Sequence, residues 1–192
     1  MRTSATYADL VKVPDHLVAE LIEGELHTSP RPSGPHTRFA SALGMDLGAA
    51  YDRGHGGPGG WWILDEPELH LDDNVLVPDL AGWRRERMPR VPQSHIFDVA
   101  PDWICEVLSG STARIDRAKK MPIYACSHVE YAWLAHPIER YVEIKKFVDG
   151  RWTDLAVFQG NQILRAGPFE LVEIDLASIW GPTDDDDSTS VG

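Results

Sequence analysis

Two acidic residues within apolar, strand-like segments constrain this chain more than any other feature. Asp79 lies at the end of the segment 75–80, and Glu106 lies inside the segment 103–108 with apolar residues on both sides. Removing a carboxylate from water has a large desolvation cost unless a cation or a positive side chain offsets it. The two segments therefore predict a buried site with a positive partner.

A pair of lysines, Lys119 and Lys120, follows Glu106 in a segment predicted to be helical. Two carboxylates from neighbouring strands suit Mg²⁺ or Mn²⁺, and a nearby ammonium could orient a water or stabilise developing negative charge. This combination is typical of metal-dependent phosphodiester hydrolases. Two alternatives stay open: Asp79 follows a proline and could simply end a strand in a turn, and structural ion pairs also perturb buried acids.

Helical periodicity does not decide which lysine faces the site. Successive residues of a helix point about 100° apart, so only one of Lys119 and Lys120 can do so. Pro122 is tolerated in the first turn of a helix, where its missing N–H costs nothing. It therefore predicts that this helix begins near Pro122, with the lysines at or just before the first turn.

Length and composition predict one globular domain with a substantial core. The chain has 192 residues, 43% hydrophobic and 25% charged, and we expect a single domain over 1–182 followed by a disordered acidic tail over 183–192. No segment approaches the ~18 apolar residues of a membrane span. The N-terminus has no signal-peptide pattern. We therefore expect a cytoplasmic protein with no membrane partner.

The net charge of −12 is unusual for a protein that binds nucleic acid, because extended DNA-binding surfaces are usually basic. One dense basic cluster is present, and it could contact phosphate or be a solvated loop. Its members are Arg84, Arg85, Arg87 and Arg90. The His-x-His and Cys-x-x-Cys spacings of zinc sites are absent from the sequence, which argues against a zinc hydrolase.

The order of predicted elements favours an α/β fold. Apolar residues at four-residue spacing predict an amphipathic helix over 36–52, and the segment 18–26 could be a helix end or a strand. The predicted strands are 61–64, 68–71, 75–80, 103–108, 131–135, 141–148, 152–159 and 161–165. This order predicts a mixed central sheet flanked by helices, with a C-terminal β extension.

An ordered set of motifs resembles the Uma-type family, which is grouped with the restriction endonucleases of the PD-(D/E)XK nuclease superfamily. The motifs are Glu20 to Leu26, His36, Pro78-Asp79 continuing to Arg85, Cys105 to Ser109 followed by Ser111-Thr112, Asp116 to Lys120 with Tyr124, and Trp133-Leu134 followed by Pro137. The resemblance covers about residues 7–180. It implies a restriction-endonuclease-like fold and a Mg²⁺- or Mn²⁺-dependent endonuclease that cleaves phosphodiester bonds in DNA.

The resemblance also implies a set of site residues. Asp79 and Glu106 would bind metal, with the backbone carbonyl of Val107 as a third ligand. The superfamily places its lysine two residues after the second acid, where this chain has Leu108. The family's lysine stands four residues before a tyrosine, which points to Lys120 as the residue that orients or deprotonates the attacking water.

Three further residues are candidates for auxiliary roles. Glu20 matches an acid that the superfamily often places near the metal, although it could be an exposed surface residue. His36 matches a family histidine and could bind metal or form hydrogen bonds at the start of its helix. Lys119 could contact phosphate or be a solvated neighbour of the catalytic lysine.

The apolar residues and the C-terminal strands also bear on the assembly of the chain. Seven tryptophans and a C-terminal set of strands leave more apolar and strand-edge surface than a small domain readily covers. We therefore expect a homodimer. The alternative function is a non-catalytic dimeric interaction protein that retains the nuclease fold.

Overall fold

The computed structural model describes residues 4–110 and 112–181, so the predicted tail over 183–192 lies outside the described residues. The helices are α1 Tyr7–Leu10, α2 Gly34–Leu47, α3 Ala113–Ile115, α4 Met121–Cys126 and α5 Leu176–Trp180, with π-helical turns at Gly48–Asp52 and Asp116–Lys120. The strands are β1 Val18–Ile22, β2 Glu25–Ser29, β3 Trp61–Asp65, β4 Glu68–Leu71, β5 Asn74–Leu76, β6 Leu80–Arg84, β7 Ile96–Phe97, β8 Trp103–Val107, β9 Tyr131–His136, β10 Tyr141–Val148, β11 Arg151–Gln159, β12 Ile163–Leu164 and β13 Ile174–Asp175.

The strands form two mixed sheets and a short ladder. The smaller sheet has the order β2-β1-β5-β4-β7, and the larger has the order β11-β10-β9-β8-β6-β3, while β12 and β13 pair separately. Within the larger sheet β8 is antiparallel to β6 and parallel to β9. A parallel pair needs a crossover connection. Here the helical segment 113–126, called the lysine helix below, lies in that connection.

The core occupies both faces of the larger sheet, and β8 contributes to each. Trp103 and Cys105 belong to a cluster that includes α2 residues, whereas Ile104 belongs to a cluster that includes lysine-helix residues. Successive side chains of a strand point to opposite faces. The alternation therefore directs Glu106 toward the lysine helix, and every residue of β8 is buried.

The predicted strand over 75–80 is two elements instead of one. The strand β5 ends at Leu76 in the smaller sheet, and β6 begins at Leu80 in the larger sheet. Pro78 lies between them and has no N–H to donate to a strand ladder. Asp79 therefore lies where the chain passes from one sheet to the other, immediately before a buried strand.

The lysine helix begins earlier than predicted. It runs through α3, the π-helical turn Asp116–Lys120 and α4, so the expectation of a start near Pro122 was wrong. The N–H of Met121 bonds to the carbonyl of Asp116, five residues earlier. Proline inside a helix removes one backbone hydrogen bond, and the wider turn directly before Pro122 accommodates that irregularity. Such π turns occur frequently at functional sites.

The segment 18–26, which could have been helix or strand, is part of a β-hairpin. The strands β1 and β2 are antiparallel, with Glu20 opposite His27. Glu23 and Gly24 form the two-residue turn, with φ of 52° and 76°, as expected for the turn type that matches strand twist. The N–H of Glu23 donates to the side chain of Asn74 at 2.8 Å, which fixes the hairpin to the start of β5.

The predicted C-terminal β extension is present. The strands β10 and β11 form a long hairpin that continues the larger sheet beyond β9. The expected third strand over 161–165 is reduced to β12, which pairs with β13 instead of the hairpin. Within the described residues, no helix is long and apolar enough to cross a membrane.

Candidate active site

Six of the seven predicted site residues line one pocket of about 230 Å³. They are Glu20, His36, Asp79, Glu106, Val107 and Lys120. The pocket lies where β1, the Asp79 crossover, the end of β8 and the lysine helix meet, and the loop 30–33 forms part of its wall. Residues far apart in sequence are therefore brought together by the passage of the chain between the two sheets.

The Asp79 carboxylate is held at both oxygens. His36 Nε2 lies 2.5 Å from Oδ1, and the backbone N–H of Val107 donates to Oδ2 at 2.6 Å. His36 is at the start of α2, so one helix and the end of β8 together fix the orientation of Asp79. Metal binding and hydrogen bonding were both predicted for His36. In the structure its side chain forms a hydrogen bond with Asp79.

Lys120 lies among three carboxylates. Its Nζ is 2.8 Å from Glu20, 2.9 Å from Glu106 and 3.6 Å from Asp116. The lysine side chain is only 3% exposed. A buried ammonium requires such partners to offset its desolvation.

The Glu106 carboxylate receives two donors on the same oxygen. Besides the ammonium of Lys120, the hydroxyl of Tyr124 donates to Oε1 at 2.6 Å. Asp116, Lys120 and Tyr124 recur at four-residue spacing and therefore share one face of the lysine helix. No role was predicted for Asp116 or Tyr124 from the sequence, although their four-residue spacing from Lys120 could have indicated that both lie at the site.

Glu20 connects the β1–β2 hairpin to the site. Its Oε1 accepts the backbone N–H of Val77 at 2.8 Å as well as the ammonium of Lys120. The side chain is 12% exposed, so the alternative of an exposed surface acid was wrong. The residue lies on β1, a strand, and not on a helix.

The electrostatics of the pocket favour additional positive charge. Burial raises the pKa of Glu106 well above its usual value, and nearby Asp116, Asp79 and Glu20 raise it further against the opposing effect of Lys120. Burial likewise raises the pKa of Asp116. For Lys120, burial lowers the pKa, but the carboxylates of Glu106 and Glu20 outweigh it and the pKa is well above normal. All three pKa shifts favour binding of protons: burial is the largest cause for the two acids, and the neighbouring carboxylates outweigh burial for Lys120.

Lys119 points away from this cluster. Its Nζ is 2.7 Å from Glu25 and 3.5 Å from His27 Nε2, and its side chain is 30% exposed. Lys119 is not among the residues that line the pocket. The geometry therefore separates the two lysines that helical periodicity left equivalent.

Three arginines of the basic cluster form ion pairs within the folded structure, and their contact with phosphate stays a prediction. Arg84 and Arg87 pair with Asp102 at 2.6 and 2.9 Å. Arg85 pairs with Asp52 at 2.6 Å and lies 3.8 Å from the centre of the Trp62 ring. These ion pairs tie the three guanidinium groups to neighbouring elements, and none of the three arginines lines the pocket.

The donor chemistry of the pocket fits a hard divalent cation, but the donors are not arranged as a finished metal site. Over residues 4–110 and 112–181, no three His, Cys, Asp or Glu side chains form a cluster ready to hold a metal. Both oxygens of Asp79 and one oxygen of Glu106 accept hydrogen bonds from protein groups. Carboxylate and carbonyl oxygens are nevertheless the ligands that Mg²⁺ and Mn²⁺ take in proteins.

A solved structure shares this fold. It is a protein from Anabaena variabilis described as a putative nuclease belonging to DUF820, with a TM-score of 0.73 and 21% sequence identity. The alignment covers 91% of this chain and 97% of that chain. A search of curated proteins gives no significant match. The structural match confirms the predicted restriction-endonuclease-like fold.

The sequence itself also matches a family. Residues 5–177 match the family described as "Uma2: Putative restriction endonuclease". The match includes every residue that lines the pocket, and it confirms the resemblance seen in the motifs. This chain belongs to the Uma2 family.

Proposed function

We propose that the protein is a Mg²⁺- or Mn²⁺-dependent endonuclease that hydrolyses phosphodiester bonds in DNA. The family and the fold indicate a restriction-endonuclease-like nuclease. The observation that carries the finer proposal is the shortage of positive charge in the pocket, where Glu20, Asp79, Glu106 and Asp116 share one ammonium. A divalent cation is the simplest species that would restore the balance.

Asp79, Glu106 and the backbone carbonyl of Val107 would hold the cation. A bound divalent ion lowers the pKa of a water molecule and neutralises charge that develops on a phosphate. His36 and the N–H of Val107 keep the Asp79 carboxylate in a fixed orientation. Tyr124 does the same for Glu106. The ligands are therefore held by residues from other elements, as expected of a site that binds with defined geometry.

Lys120 would act as an ammonium. Its pKa is raised well above normal by the carboxylates of Glu106 and Glu20 in spite of burial. A lysine that keeps its proton cannot accept one from water in the resting site. This favours the orienting role over the deprotonating role: Lys120 would hold the attacking water by a hydrogen bond.

The alternative, a non-catalytic interaction protein that keeps the fold, is favoured by one observation. The pocket carboxylates already have protein donors, so the cluster could be a stable structural network without a metal. Metal-stimulated cleavage of DNA distinguishes the endonuclease from the non-catalytic interaction protein.

Plasmid cleavage tests the proposal. Purified protein is incubated with supercoiled plasmid and Mg²⁺ or Mn²⁺, and nicked and linear products are measured beside a reaction with chelator. We expect metal-dependent nicking that is absent from the Glu106→Gln variant. The proposed metal-dependent activity would be refuted if the amount of product were equal with and without metal. It would also be refuted if the wild type and Glu106→Gln gave the same amount of product.

We further infer a homodimer that forms through β11. This strand is the edge of the larger sheet, and Leu155 and Val157 expose about half of their surface. An exposed strand edge with apolar side chains favours pairing with another chain. Light scattering at micromolar concentration should give twice the monomer mass, and replacement of Leu155 by lysine should give the monomer mass. A monomeric wild-type protein would reject the dimer.

A further inference from the structure

A phosphodiester would have to enter a pocket whose charged lining residues are mostly acidic. Two basic residues, Arg31 and Lys120, are the only Lys or Arg side chains among the residues lining it. Lys120 is 3% exposed and is enclosed by carboxylates. Its charge is largely neutralised by those partners before any substrate arrives. The cation available to an incoming phosphate is therefore Arg31.

Arg31 has the properties of an unused guanidinium. The residue is exposed, and a hydrogen bond links its side chain to the backbone carbonyl of Asp15 at 3.3 Å. Within the described residues, Arg31 has no ion pair of 4.0 Å or less. A long bond to a neutral carbonyl is weak compared with a guanidinium–phosphate contact, which is charge-assisted and can be bidentate. Exchange of the first contact for the second would therefore be favourable.

The local sequence holds Arg31 at the pocket. Pro30 and Pro32 flank it, and all three residues line the pocket wall. Proline fixes its own φ, and it restricts the preceding residue to extended conformations. The backbone on both sides of Arg31 is therefore stiff, which reduces the conformational entropy lost when the side chain binds a ligand.

The other basic residues near the sequence motifs lie outside the pocket lining, and several of them are paired. Lys119 is paired with Glu25. Arg84 and Arg87 are paired with Asp102, and Arg85 is paired with Asp52. Arg90 is exposed and has no ion pair of 4.0 Å or less within the described residues, but it does not line the pocket. Arg31 is therefore the exposed basic residue that lies at the pocket itself.

We propose that Arg31 binds a phosphate of the DNA strand beside the cleavage site, through its guanidinium at the mouth of the Asp79–Glu106 pocket. The inference rests on the proposed function and adds the residue that attracts the substrate to an otherwise acidic protein. Arg31 contributes binding and no proton transfer. Its loss should therefore weaken DNA binding and leave the affinity for divalent cations unchanged.

The experiment measures binding without turnover. Fluorescence anisotropy is recorded with a labelled 16-base-pair DNA in Ca²⁺, a cation that takes the same oxygen ligands, between 50 and 200 mM salt. The variants are Arg31→Ala and Arg31→Lys. The control is Arg53→Ala, an exposed arginine just beyond the far end of α2. At ~1.5 Å per residue, Arg53 lies roughly 25 Å from His36 along the helix.

We expect Arg31→Ala to weaken binding about tenfold at low salt, the effect of one charge-assisted contact. Its plot of log K against log salt should be shallower by ~0.9, the slope associated with one phosphate. Arg31→Lys should recover most of the affinity, and Arg53→Ala should match the wild type. The melting temperatures should be equal, since Arg31 is exposed.

Two results overturn the inference while the proposed function stands. They are wild-type affinity and slope in Arg31→Ala, or an equal loss in Arg31→Ala and Arg53→Ala, which would indicate only a change of net charge. A wild-type protein that binds no DNA at any salt concentration would instead refute the DNA substrate, and the role of Arg31 with it.

Discussion

Each end of β8 has a cluster of charged residues around at least one buried carboxylate, and the two clusters differ in charge balance. At the start of the strand, the carboxylate of Asp102 is met by Arg84 and Arg87. Arg84 also pairs with Glu130, which in turn pairs with Lys146. Cations are at least as numerous as carboxylates there. We call this set of five residues the arginine end of β8.

The opposite end of the strand, which we call the site end, has the reverse composition. Glu106, Glu20 and Asp116 lie around the ammonium of Lys120, and Asp79 is close enough to raise the pKa of Glu106. Over residues 4–110 and 112–181, four charged residues are buried, and three of them, Glu106, Asp116 and Lys120, belong to this end.

We propose that this difference in charge balance distinguishes a structural cluster from a metal-binding one. A buried ion cluster with matched charges needs nothing more to be satisfied. A cluster with surplus carboxylates gains free energy from any cation that enters, and this gain is available for binding. On this basis the arginine end joins β6, β8 and β9, and the site end is prepared for a ligand. The predictions below test that contrast.

The largest expected effect is on turnover. Lys120→Met should reduce metal-dependent cleavage by ~10²–10³-fold, the loss typical of one hydrogen-bond donor in a preorganised site. Lys119→Met, one residue away and paired outside the pocket, should keep close to full activity. Rates of plasmid nicking for the two variants decide this. An inactive Lys119→Met with an active Lys120→Met would reverse the assignment.

A smaller effect should separate the two ends in folding stability. Asp102→Asn should lower the free energy of unfolding by about 2–3 kcal/mol, because hydrogen bonds to charged partners are lost, Arg87 loses its carboxylate partner and Arg84 keeps only Glu130. Glu106→Gln should change it by less than about 1 kcal/mol without metal, because the amide can still accept from Tyr124 and a surplus charge is removed. Urea denaturation in chelator measures both. Equal losses in the two variants would contradict the contrast.

The smallest effect is a pH dependence confined to the site end. Burial first, and then the neighbouring acids, raise the pKa of Glu106 in the folded protein. The folded state therefore binds more protons than the unfolded state above about pH 4.3, the ordinary value for glutamate. The contribution of Glu106 to the free energy of unfolding is fully present below that pH. It is lost as the pH rises through the raised pKa of the folded state.

The wild-type protein without metal should therefore lose melting temperature from pH 5 to pH 8 relative to Glu106→Gln. The difference between the two proteins removes the contributions of other groups, such as Asp9, whose hydrogen bonds with Thr6 and Lys12 lower its pKa to about 2. Addition of Mn²⁺ at pH 8 should raise the melting temperature of the wild-type protein and so reverse this loss. A difference that is constant with pH would contradict the raised pKa.

The sequence predicted the elements of the fold well where local patterns were complete. The buried strand around Glu106 and the amphipathic helix that begins near His36 follow from apolar periodicity alone. The strand β6 was missed because Pro78 interrupts one apolar run that in fact serves two sheets. The start of the lysine helix was misplaced because a π-helical turn before Pro122 cannot be inferred from residue spacing.

The site was predictable where residue type and motif coincided, and not where it depended on long-range contacts. Asp79, Glu106 and Lys120 were identified by acids in apolar runs and by the family's lysine–tyrosine spacing. The contact between Glu20 and Val77 depends on how a hairpin packs against a distant crossover. The pairing of Arg84 with Asp102 likewise depends on strand order. No local pattern contains that information, which is why these contacts were not predicted.

The most direct test of the central claim is calorimetric titration of Mn²⁺ into metal-free protein. The wild type and Asp102→Asn should bind the ion with the same affinity, since the arginine end needs no cation, and Glu106→Gln should show no measurable binding. Equal binding by Glu106→Gln and the wild type would contradict the claim that the surplus carboxylates at the site end of β8 form a metal site.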